Sequence, residues 1–419
     1  MTTTTTRWFG RCANVGAFMV PGLALWLPSG YSYGAVLLLL AALASTPMWW
    51  RRPAPRAACW LAASFVCMAG LWMLDVGMAW GMGSMERPIK YLLATLCIFY
   101  LMAFAPGAAW LRMGIAAGAV GGGLIGFYQV GLLGLERANG YTNAIQYGDL
   151  SMLLGLMSGV VLVAQWRRWS AWQRGLLVIA MVLGMSGCVL SQSRGGWLAL
   201  VSLLPVCVWL LVRATGQRGL YWGLGALALT AAALSQVPAI ERRLNEAREE
   251  VQTYQERGDG RSSVGHRLAH WRLAWDMGLD RPLIGWGRMG YTQEKARRVA
   301  AGQAHPIVLE YGHAHNEVLD LFAKRGLFGV LLLMGFYGIP LVMFWPTEAR
   351  IRDAQGKMDN ESLSLCLVGV LLPLSYIGFG LTQVFLAHNS GNMFYLFMCP
   401  LVLAALHERR VHMGCPRPV

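Results

Sequence analysis

The stretch from 311 to 332, "YGHAHNEVLDLFAKRGLFGVLL", places His313, His315, Asn316 and Glu317 directly before a long apolar run. Imidazole nitrogens can ligate a metal ion or accept a proton near neutral pH, so both kinds of chemistry are open. Helical metal pairs usually stand four residues apart, which fits His313 with Glu317 but not the two histidines with each other. The spacing therefore favours a general base over a metal site. A third interpretation, that these side chains only cap a membrane-spanning helix, stays open.

Two arginines have the chemistry to bind phosphate, because a planar guanidinium can donate two parallel hydrogen bonds to phosphate oxygens. Arg194 lies in the short turn "SQSRGGW", where Gly195 and Gly196 allow close approach of a ligand. Arg267 heads a stripe of residues spaced by four, which continues with Trp271, Trp275 and Leu279. The alternative for each arginine is anchoring at lipid headgroups. If both lie at the outer surface of the membrane, together they could clamp one pyrophosphate.

The composition indicates an all-α polytopic membrane protein. Of 419 residues 56% are hydrophobic and only 13% are charged, which is too little charge to cover a soluble protein of this length. Apolar segments of spanning length predict about 12 transmembrane helices, at 13–29, 33–50, 57–81, 88–106, 108–135, 143–165, 171–191, 195–212, 219–237, 323–345, 362–386 and 390–407. We interpret the basic and apolar N-terminus as a retained first span and not a cleaved signal peptide, since no small-x-small cleavage site is evident.

The distribution of basic residues predicts the orientation. With the N-terminus in the cytoplasm, 17 of the 35 Lys and Arg lie on the inner side and only 4 in short outer loops. Of the remaining 14, 12 belong to one long outer loop at 238–322, and Lys324 and Arg325 lie at the outer end of the tenth span. Long loops are largely exempt from this rule. Both termini are therefore expected to be cytoplasmic. The formal charge of +14 then follows from topology and does not indicate binding of nucleic acid.

The predicted domain organisation follows from these spans. Residues 1–237 form helices 1–9, residues 238–322 form the large outer loop, and residues 323–419 form helices 10–12 with a short tail. Within the loop we expect a polar helix, then a second helix capped by Ser262 or Ser263 and stopped by Pro282. Most cysteines fall in apolar segments and no CxxC pair is present, so disulfides and zinc–thiolate sites are not expected.

The four short-loop cations on the outer side, Arg87, Lys90, Arg137 and Arg194, oppose the topology signal and need another explanation. Binding of substrate phosphates is one explanation, and anchoring to lipid headgroups is the other. Outer segments contain no DxD carboxylate pair, which disfavours a metal-dependent transferase that uses nucleotide sugars. We therefore predict neither a metal nor a cofactor.

Three motifs resemble the O-antigen ligase and polymerase family of bacterial envelopes. They are "SQSRGGWLAL", the Arg-x-x-x-Trp helix with the Pro-x-x-Gly-x-Gly turn of Pro282, Gly285 and Gly287, and "HNEVLDLFAKRGLFG", which contains Gly326 and Gly329. They cover about 150 residues, from 191 to 340, and the rest of the chain agrees only in hydropathy. The resemblance implies a helical, GT-C-like membrane glycosyltransferase with its active site on the periplasmic face of the bacterial inner membrane.

The resemblance also implies a mechanism. The donor would be O-antigen on undecaprenyl pyrophosphate, the acceptor lipid A–core oligosaccharide, and the transfer would be inverting and metal-independent. Arg194 and Arg267 would bind the pyrophosphate, and His315 would be the general base. His313 and Asn316 lie beside the base and are assigned a supporting role in substrate binding, as are the outer cations Arg87, Lys90 and Arg137.

Other functions remain open. An O-antigen polymerase would use the same donor with a second lipid-linked glycan as acceptor, and a protein O-oligosaccharyltransferase would use a protein. The compact chain with a single large outer loop favours the ligase. A secondary transporter is the alternative outside the family, but Asp75 and Asp149 are the only acids expected within spans, whereas transporters place ionisable residues at midplane.

Overall fold

The structure, a computed structural model, describes residues 3–76, 82–193, 195–196, 238–258 and 260–414. Throughout these ranges the chain is helical and contains no strand, only an isolated bridge between Arg352 and Met358. Helices of fourteen residues or more within these ranges are α1 Thr3–Gly22, α2 Gly30–Ala44, α3 Arg56–Val76, α4 Met82–Ala103, α5 Ala108–Phe127, α6 Ala144–Gln165, α7 Ala171–Ser191, α8 Pro238–Arg257, α9 Ser263–Asp280, α10 Gly287–Ala300, α11 Glu317–Phe344, α12 Asn360–Gly380 and α13 Asn389–His412.

Among the described residues, seven helical segments are long and apolar enough to cross a membrane. They are Arg56–Asp75, Ala108–Leu132, Ala144–Arg168, Ala171–Ser191, Glu317–Phe344, Asn360–Gly380 and Asn389–His412. The prediction of a polytopic all-α membrane protein is thus confirmed, whereas the count of twelve is not. Two of the twelve predicted spans, 195–212 and 219–237, lie outside the described residues.

Several predicted span boundaries were wrong. The first span was placed at 13–29, but α1 is Thr3–Gly22, and residues 23–29 form turns and a bend. Polar threonines begin this helix, and an apolar count misses them. The tenth span was predicted to start at 323, yet α11 starts at Glu317, because Glu317 and Asp320 are tolerated in its first turn near the positive end of the helix dipole.

The chain divides into two compact units. The first comprises residues 1–197, 331–379 and 385–419. Its helices pack closely where α5 presents glycine, since a Cβ at Gly118 would collide with the Pro21 carbonyl of α1 and one at Gly123 would press on Leu183 of α7. Small residues at such crossings let helix backbones approach, which is the usual packing mode in a membrane.

Arginines of the first unit are paired near the end of α13. Asp359, just before α12, accepts two hydrogen bonds from Arg409, at 2.9 and 2.7 Å from Nε and Nη2. Arg112 of α5 forms an ion pair with Glu361. Arg410 donates to the carbonyls of Arg350 and Arg352. These arginines belong to the set that predicts the cytoplasmic side.

The second unit comprises residues 198–330 and 380–384. Ser262 caps α9 by accepting a 3.0 Å hydrogen bond from the Gly265 amide, and the helix ends at Asp280 before Pro282, so both predictions for this helix are confirmed. The core of the unit packs α9 and α10 against the start of α11 through Ala269, Leu273, Ala274, Met277, Tyr291, Val308, Ala314 and Ala323.

Helix α11 is broken at Gly326, whose backbone has φ 60° and ψ −159°. The turn that follows α9 docks at this break. Leu327 donates its amide to the Pro282 carbonyl at 2.7 Å, Phe328 to the Leu283 carbonyl at 3.2 Å, and Trp286 to the Ala323 carbonyl at 3.0 Å. The turn therefore supplies acceptors for amides that the broken helix leaves without their regular partners.

Candidate active site

His313 and His315 lie in a turn, residues 311–316, which we call the catalytic turn after the role that the sequence motifs predict for His315. Asn316 caps α11, because its Oδ1 accepts from the Leu319 amide at 3.0 Å and its Nδ2 donates to the Leu381 carbonyl at 3.2 Å. The Ala314 amide donates to Asp320 Oδ1 at 2.9 Å. His315 between them has a φ of 52°, in the left-handed region that non-glycine residues rarely adopt. The capping interpretation thus describes Asn316, while His315 is turned out of the helix.

Two lysines hold the backbone of the catalytic turn. Lys295 of α10 donates to the Tyr311 carbonyl. Lys324 of α11 donates to the Gly312 carbonyl at 2.9 Å and also pairs with Asp320 at 2.8 Å. Burial, and then the charge of Lys324, lowers the pKa of Lys295 to about 8. These contacts fix the turn from two helices at once.

The helical geometry assumed for His313 and Glu317 does not apply, because α11 begins only at Glu317. In the turn, the rings of His313 and His315 lie 4.4 Å apart between centroids, in an edge-to-face arrangement. The His315 amide donates to His313 Nδ1 at 3.4 Å. His313 therefore contacts His315 directly within the turn, through its ring and its Nδ1.

Helix α9 approaches the catalytic turn with the stripe that the spacing predicted. Trp271 donates its indole N–H to the His315 carbonyl at 3.4 Å. One turn earlier, Arg267 is close enough for its charge to act on the His315 imidazole. The structure thus brings together two of the predicted site residues, Arg267 and His315.

His315 is a neutral imidazole at neutral pH. Burial lowers its pKa to about 3, and the charges of its neighbours lower it further, in the order His313, His270, His266 and Arg267. Its Nε2 is buried and has no hydrogen-bond partner among the residues described. An unprotonated ring nitrogen of this kind can accept a proton from an acceptor hydroxyl.

Sequence reasoning missed His266 and His270 of α9. Their rings stack at 4.5 Å, and each lies 5.4 Å from the ring of His315. Burial lowers the pKa of His270 to about 4. One ring nitrogen of each of the three histidines lies within 4.8 Å of the others, an arrangement that could hold a metal ion. The available signal was the spacing of four between His266 and His270, which places both on one face of a helix.

Arg194 lies outside the described residues, but the turn around it is well held within the first unit. Ser193 donates to Asp149 Oδ1 at 2.9 Å, and its amide donates to Ser191 Oγ at 3.1 Å. Arg137 Nε donates to the Ser191 carbonyl at 3.0 Å. Arg137, predicted as a substrate ligand, thus contacts the last residue of α7, where a positive charge also complements the helix dipole.

Arg87 and Lys90 of α4 contact the start of α13 and the segment before it. Arg87 donates to the Ala387 carbonyl at 3.3 Å and stacks over the Trp72 ring at 4.6 Å. Lys90 donates to Asn389 at 2.7 Å and pairs with Glu86. Beside them, burial and the charge of Arg87 lower the pKa of His388. The two cations form one basic patch of the first unit.

Large apolar side chains are exposed on the second unit around the end of α9. We call this set the apolar rim; its members are Trp275, Leu279, Leu283, Ile284, Leu327 and Phe328. Ile284 and Leu283 are the most exposed, at 74% and 68%. Exposure of this many large apolar side chains to water is unfavourable. Immersion of the rim in lipid is the explanation that fits a membrane protein.

Comparison with known proteins agrees with the motifs. The chain is similar to an uncharacterized protein of Haemophilus influenzae, with 26% identity over 317 residues that cover 75% of this chain and 78% of the relative. Residues 179–334 match the family described as O-antigen ligase. This segment contains the Arg194 turn, α9 and the catalytic turn. The resemblance carried by the three motifs is thus confirmed for residues 179–334, which are similar to the O-antigen ligase family.

Proposed function

We propose that this protein is an O-antigen ligase that transfers the glycan of undecaprenyl-pyrophosphate-linked O-antigen onto lipid A–core oligosaccharide. The reaction takes place at the periplasmic face of the bacterial inner membrane, and both termini are cytoplasmic. The observation that carries the proposal is the approach of α9 to the catalytic turn, within the segment that matches the family. Trp271 hydrogen-bonds the His315 carbonyl, and the charge of Arg267 acts on the His315 imidazole.

In the proposed reaction, His315 Nε2 removes the proton from an acceptor hydroxyl as the oxygen attacks the anomeric carbon. The bond from that carbon to the pyrophosphate oxygen breaks on the opposite face, which inverts the configuration. The leaving pyrophosphate departs as an anion and needs no protonation. Arg194 and Arg267 stabilise the negative charge that develops on it. His315 then loses the proton to water or to the departing pyrophosphate. No step requires a metal ion.

The outer cations and Asn316 are assigned secondary roles. Arg87 and Lys90 form a basic patch that would attract the phosphates of the lipid substrates, although both already have protein contacts. Arg137 would act mainly through the turn that carries Arg194. His313 and Asn316 would hold His315 in its left-handed conformation and leave its Nε2 free to face the acceptor.

The assay that tests the proposal uses purified protein, lipid-linked donor and lipid A–core in detergent. We expect glycan transfer that resists EDTA and is lost in His315→Ala but kept in His412→Ala, a control at the exposed end of α13. Arg194→Ala and Arg267→Ala should each weaken donor use. Full donor use by either variant would remove that arginine from the mechanism.

Deletion of the gene separates the ligase from its family alternatives. A ligase mutant should make core-only lipopolysaccharide while O-antigen accumulates on the undecaprenyl carrier. Core capped with a single repeat unit would instead identify a polymerase, and loss of protein glycosylation would identify a protein O-oligosaccharyltransferase. Transport of a solute without any covalent product would contradict all three.

A further inference from the structure

Three histidines of the second unit converge from two segments that are about 50 residues apart in sequence. His266 and His270 come from one face of α9, and His315 comes from the catalytic turn. A ring nitrogen of each lies within 4.8 Å of the other two. Glu310 is also near, with its Oε2 3.5 Å from His266 Nε2. The proposed transfer uses His315 alone and leaves His266 and His270 unexplained.

The nitrogens of this cluster are available as ligands. The Nε2 atoms of His266, His270 and His315 are buried and accept or donate no hydrogen bond within the described part of the chain. His270 has its other nitrogen, Nδ1, 3.0 Å from the His266 carbonyl. This contact requires the proton on Nδ1 and therefore leaves Nε2 of His270 with its lone pair free. A backbone carbonyl in this position is a usual outer partner of a metal-bound histidine.

We propose that His266, His270 and His315 bind a Zn²⁺ ion, with Glu310 or water as the fourth ligand. Occupation of the site withdraws His315 from its role as a base, so zinc inhibits glycosyl transfer reversibly. The inhibition, but not the binding of zinc, rests on the function proposed above. The transfer itself stays independent of metal.

The chemistry of the site suits Zn²⁺ in two respects, and its geometry requires a small closure. Neutral imidazole is a preferred zinc ligand, and burial lowers the pKa of His270 and His315 to about 4 and about 3, so both are neutral at pH 7. Three histidines with an open fourth position are an established zinc geometry. At a Zn–N distance of about 2.1 Å the nitrogens would lie roughly 3.4 Å apart, so nitrogens 4.8 Å apart must approach each other by about 1.4 Å.

Neighbouring charges set the strength of binding. Arg267, Lys295 and His313 influence the histidines electrostatically, and positive charges on them oppose a dication. The carboxylate of Glu310 offsets part of this repulsion. We therefore expect zinc to bind more weakly than at a structural site and to be removed readily by EDTA, as an inhibitory site requires.

Binding is tested on the full chain, purified through a tag without histidine. Zn²⁺ titration by calorimetry should give one site per chain, and Co²⁺ should give the visible absorption of a four-coordinate ion. His266→Gln and His270→Gln should each weaken binding roughly tenfold or more, while His412→Gln should not. Zinc should raise the melting temperature of the wild type but not that of His266→Gln. The melting transition of each variant also shows that it is folded. Equal zinc binding by His266→Gln and the wild type would overturn the proposal.

Inhibition is tested in the transfer assay. Added Zn²⁺ should slow the wild type, excess EDTA should restore the rate, and His266→Gln should show no response relative to its own zinc-free rate. Zinc binding without any slowing of transfer would overturn the inhibitory role. If the wild type binds zinc at these histidines but transfers no glycan even without metal, the proposed function fails while the metal site stands.

Discussion

At the scale of single residues, the central feature is a histidine whose burial keeps it unprotonated. A free imidazole with a pKa of about 3 is a weak base, which would limit catalysis at neutral pH. A bound pyrophosphate beside Arg267 changes this balance, because its negative charge favours the imidazolium form and raises the pKa of His315. The base would thus gain strength only when donor is present.

This coupling predicts different pH profiles for kcat/KM and kcat. In the free enzyme His315 is unprotonated well below pH 6.5, so kcat/KM should show no acid limb from this residue between about pH 5.5 and 8. The limb in kcat at saturating donor should lie at higher pH. Steady-state rates in matched buffers check this, and an acid limb of kcat/KM near 6.5 would contradict it.

The stability of the folded protein must be measured at each pH together with the rates, because the lowered pKa values of the histidines also affect the free energy of unfolding. The pKa of His270 and of His315 is lower in the folded protein than the ordinary value of 6.5. Between pH 6.5 and about 4 the unfolded chain therefore binds more protons, and the folded state loses stability as pH falls. Thermal melting at each pH separates this loss from a change in catalysis.

The lysines that hold the catalytic turn give a second prediction. Lys324→Met removes the hydrogen bond to the Gly312 carbonyl and the ion pair with Asp320. We expect kcat to fall roughly tenfold or more, since misplacing a reacting group is costly, with KM for the donor little changed. Transfer kinetics measure this.

The matched control is Lys357→Met, an exposed lysine of the first unit. It should keep the wild-type kcat. A rise in KM and a fall in kcat, together with a large loss of melting temperature in Lys324→Met, would indicate a structural role and not positioning of the turn.

At the scale of single residues, the sequence predicted functional roles only for residues that belong to a recognisable motif. His315, Arg267 and the supporting position of His313 follow from sequence patterns. The roles of Lys295 and Lys324 do not, because a lysine that hydrogen-bonds a carbonyl has no signature in spacing. Asn316 was assigned a supporting role in substrate binding with helix capping as the alternative, and only its bonds to Leu319 and Leu381 identify a cap.

At the scale of elements, the break in α11 shows how two of the motifs meet in the structure. The Pro-x-x-Gly-x-Gly turn and the Gly-x-x-Gly segment contact each other, with Gly285 against the Lys324 and Arg325 backbone and Gly326 against Leu283. The sequence identified both motifs, but their contact is a tertiary feature that spacing along the chain cannot supply.

The break gives a third prediction. Gly326→Ala puts a side chain at φ 60° and ψ −159°, a region essentially restricted to glycine, and its Cβ would collide with the Leu283 backbone. We expect a cost of about 1–3 kcal/mol from the backbone conformation alone, with loss of transfer. Gly335→Ala, in the same helix with open space around its Cβ, is the control and should be nearly neutral. Equal melting temperatures for the two variants would contradict the role of the break.

At the scale of the whole molecule, hydropathy and charge predicted the class of protein but not every helix end. The seven described spans confirm the class. The predicted ends failed where polar residues belong to a helix, as at Thr3 in α1 and Glu317 in α11. At Glu317 the helix dipole stabilises the carboxylate in the first turn. An apolar count has no access to these effects.

The orientation predicted from the basic residues determines which loops an impermeant thiol reagent should reach. In a background without the native cysteines, Gln303→Cys lies in the large loop and should be labelled in intact spheroplasts. Gln355→Cys, between α11 and α12, should be labelled only after the membrane is opened. Both positions are exposed in the structure, so labelling reports the side of the membrane. The reverse pattern would overturn the orientation.

The apolar rim has a consequence for the lipid environment. Its members Leu327 and Phe328 hydrogen-bond through their amides to the turn after α9, and α9 contacts the catalytic turn through Trp271. If the rim is immersed in lipid as inferred above, we expect its depth in the hydrocarbon to be coupled through α9 to the position of His315. Bilayers of different acyl-chain length should change kcat without any change in the protein, with an optimum thickness on either side of which mismatch slows transfer. In nanodiscs, the thickness of the bilayer can be varied and its effect on the kcat of the proposed transfer measured directly.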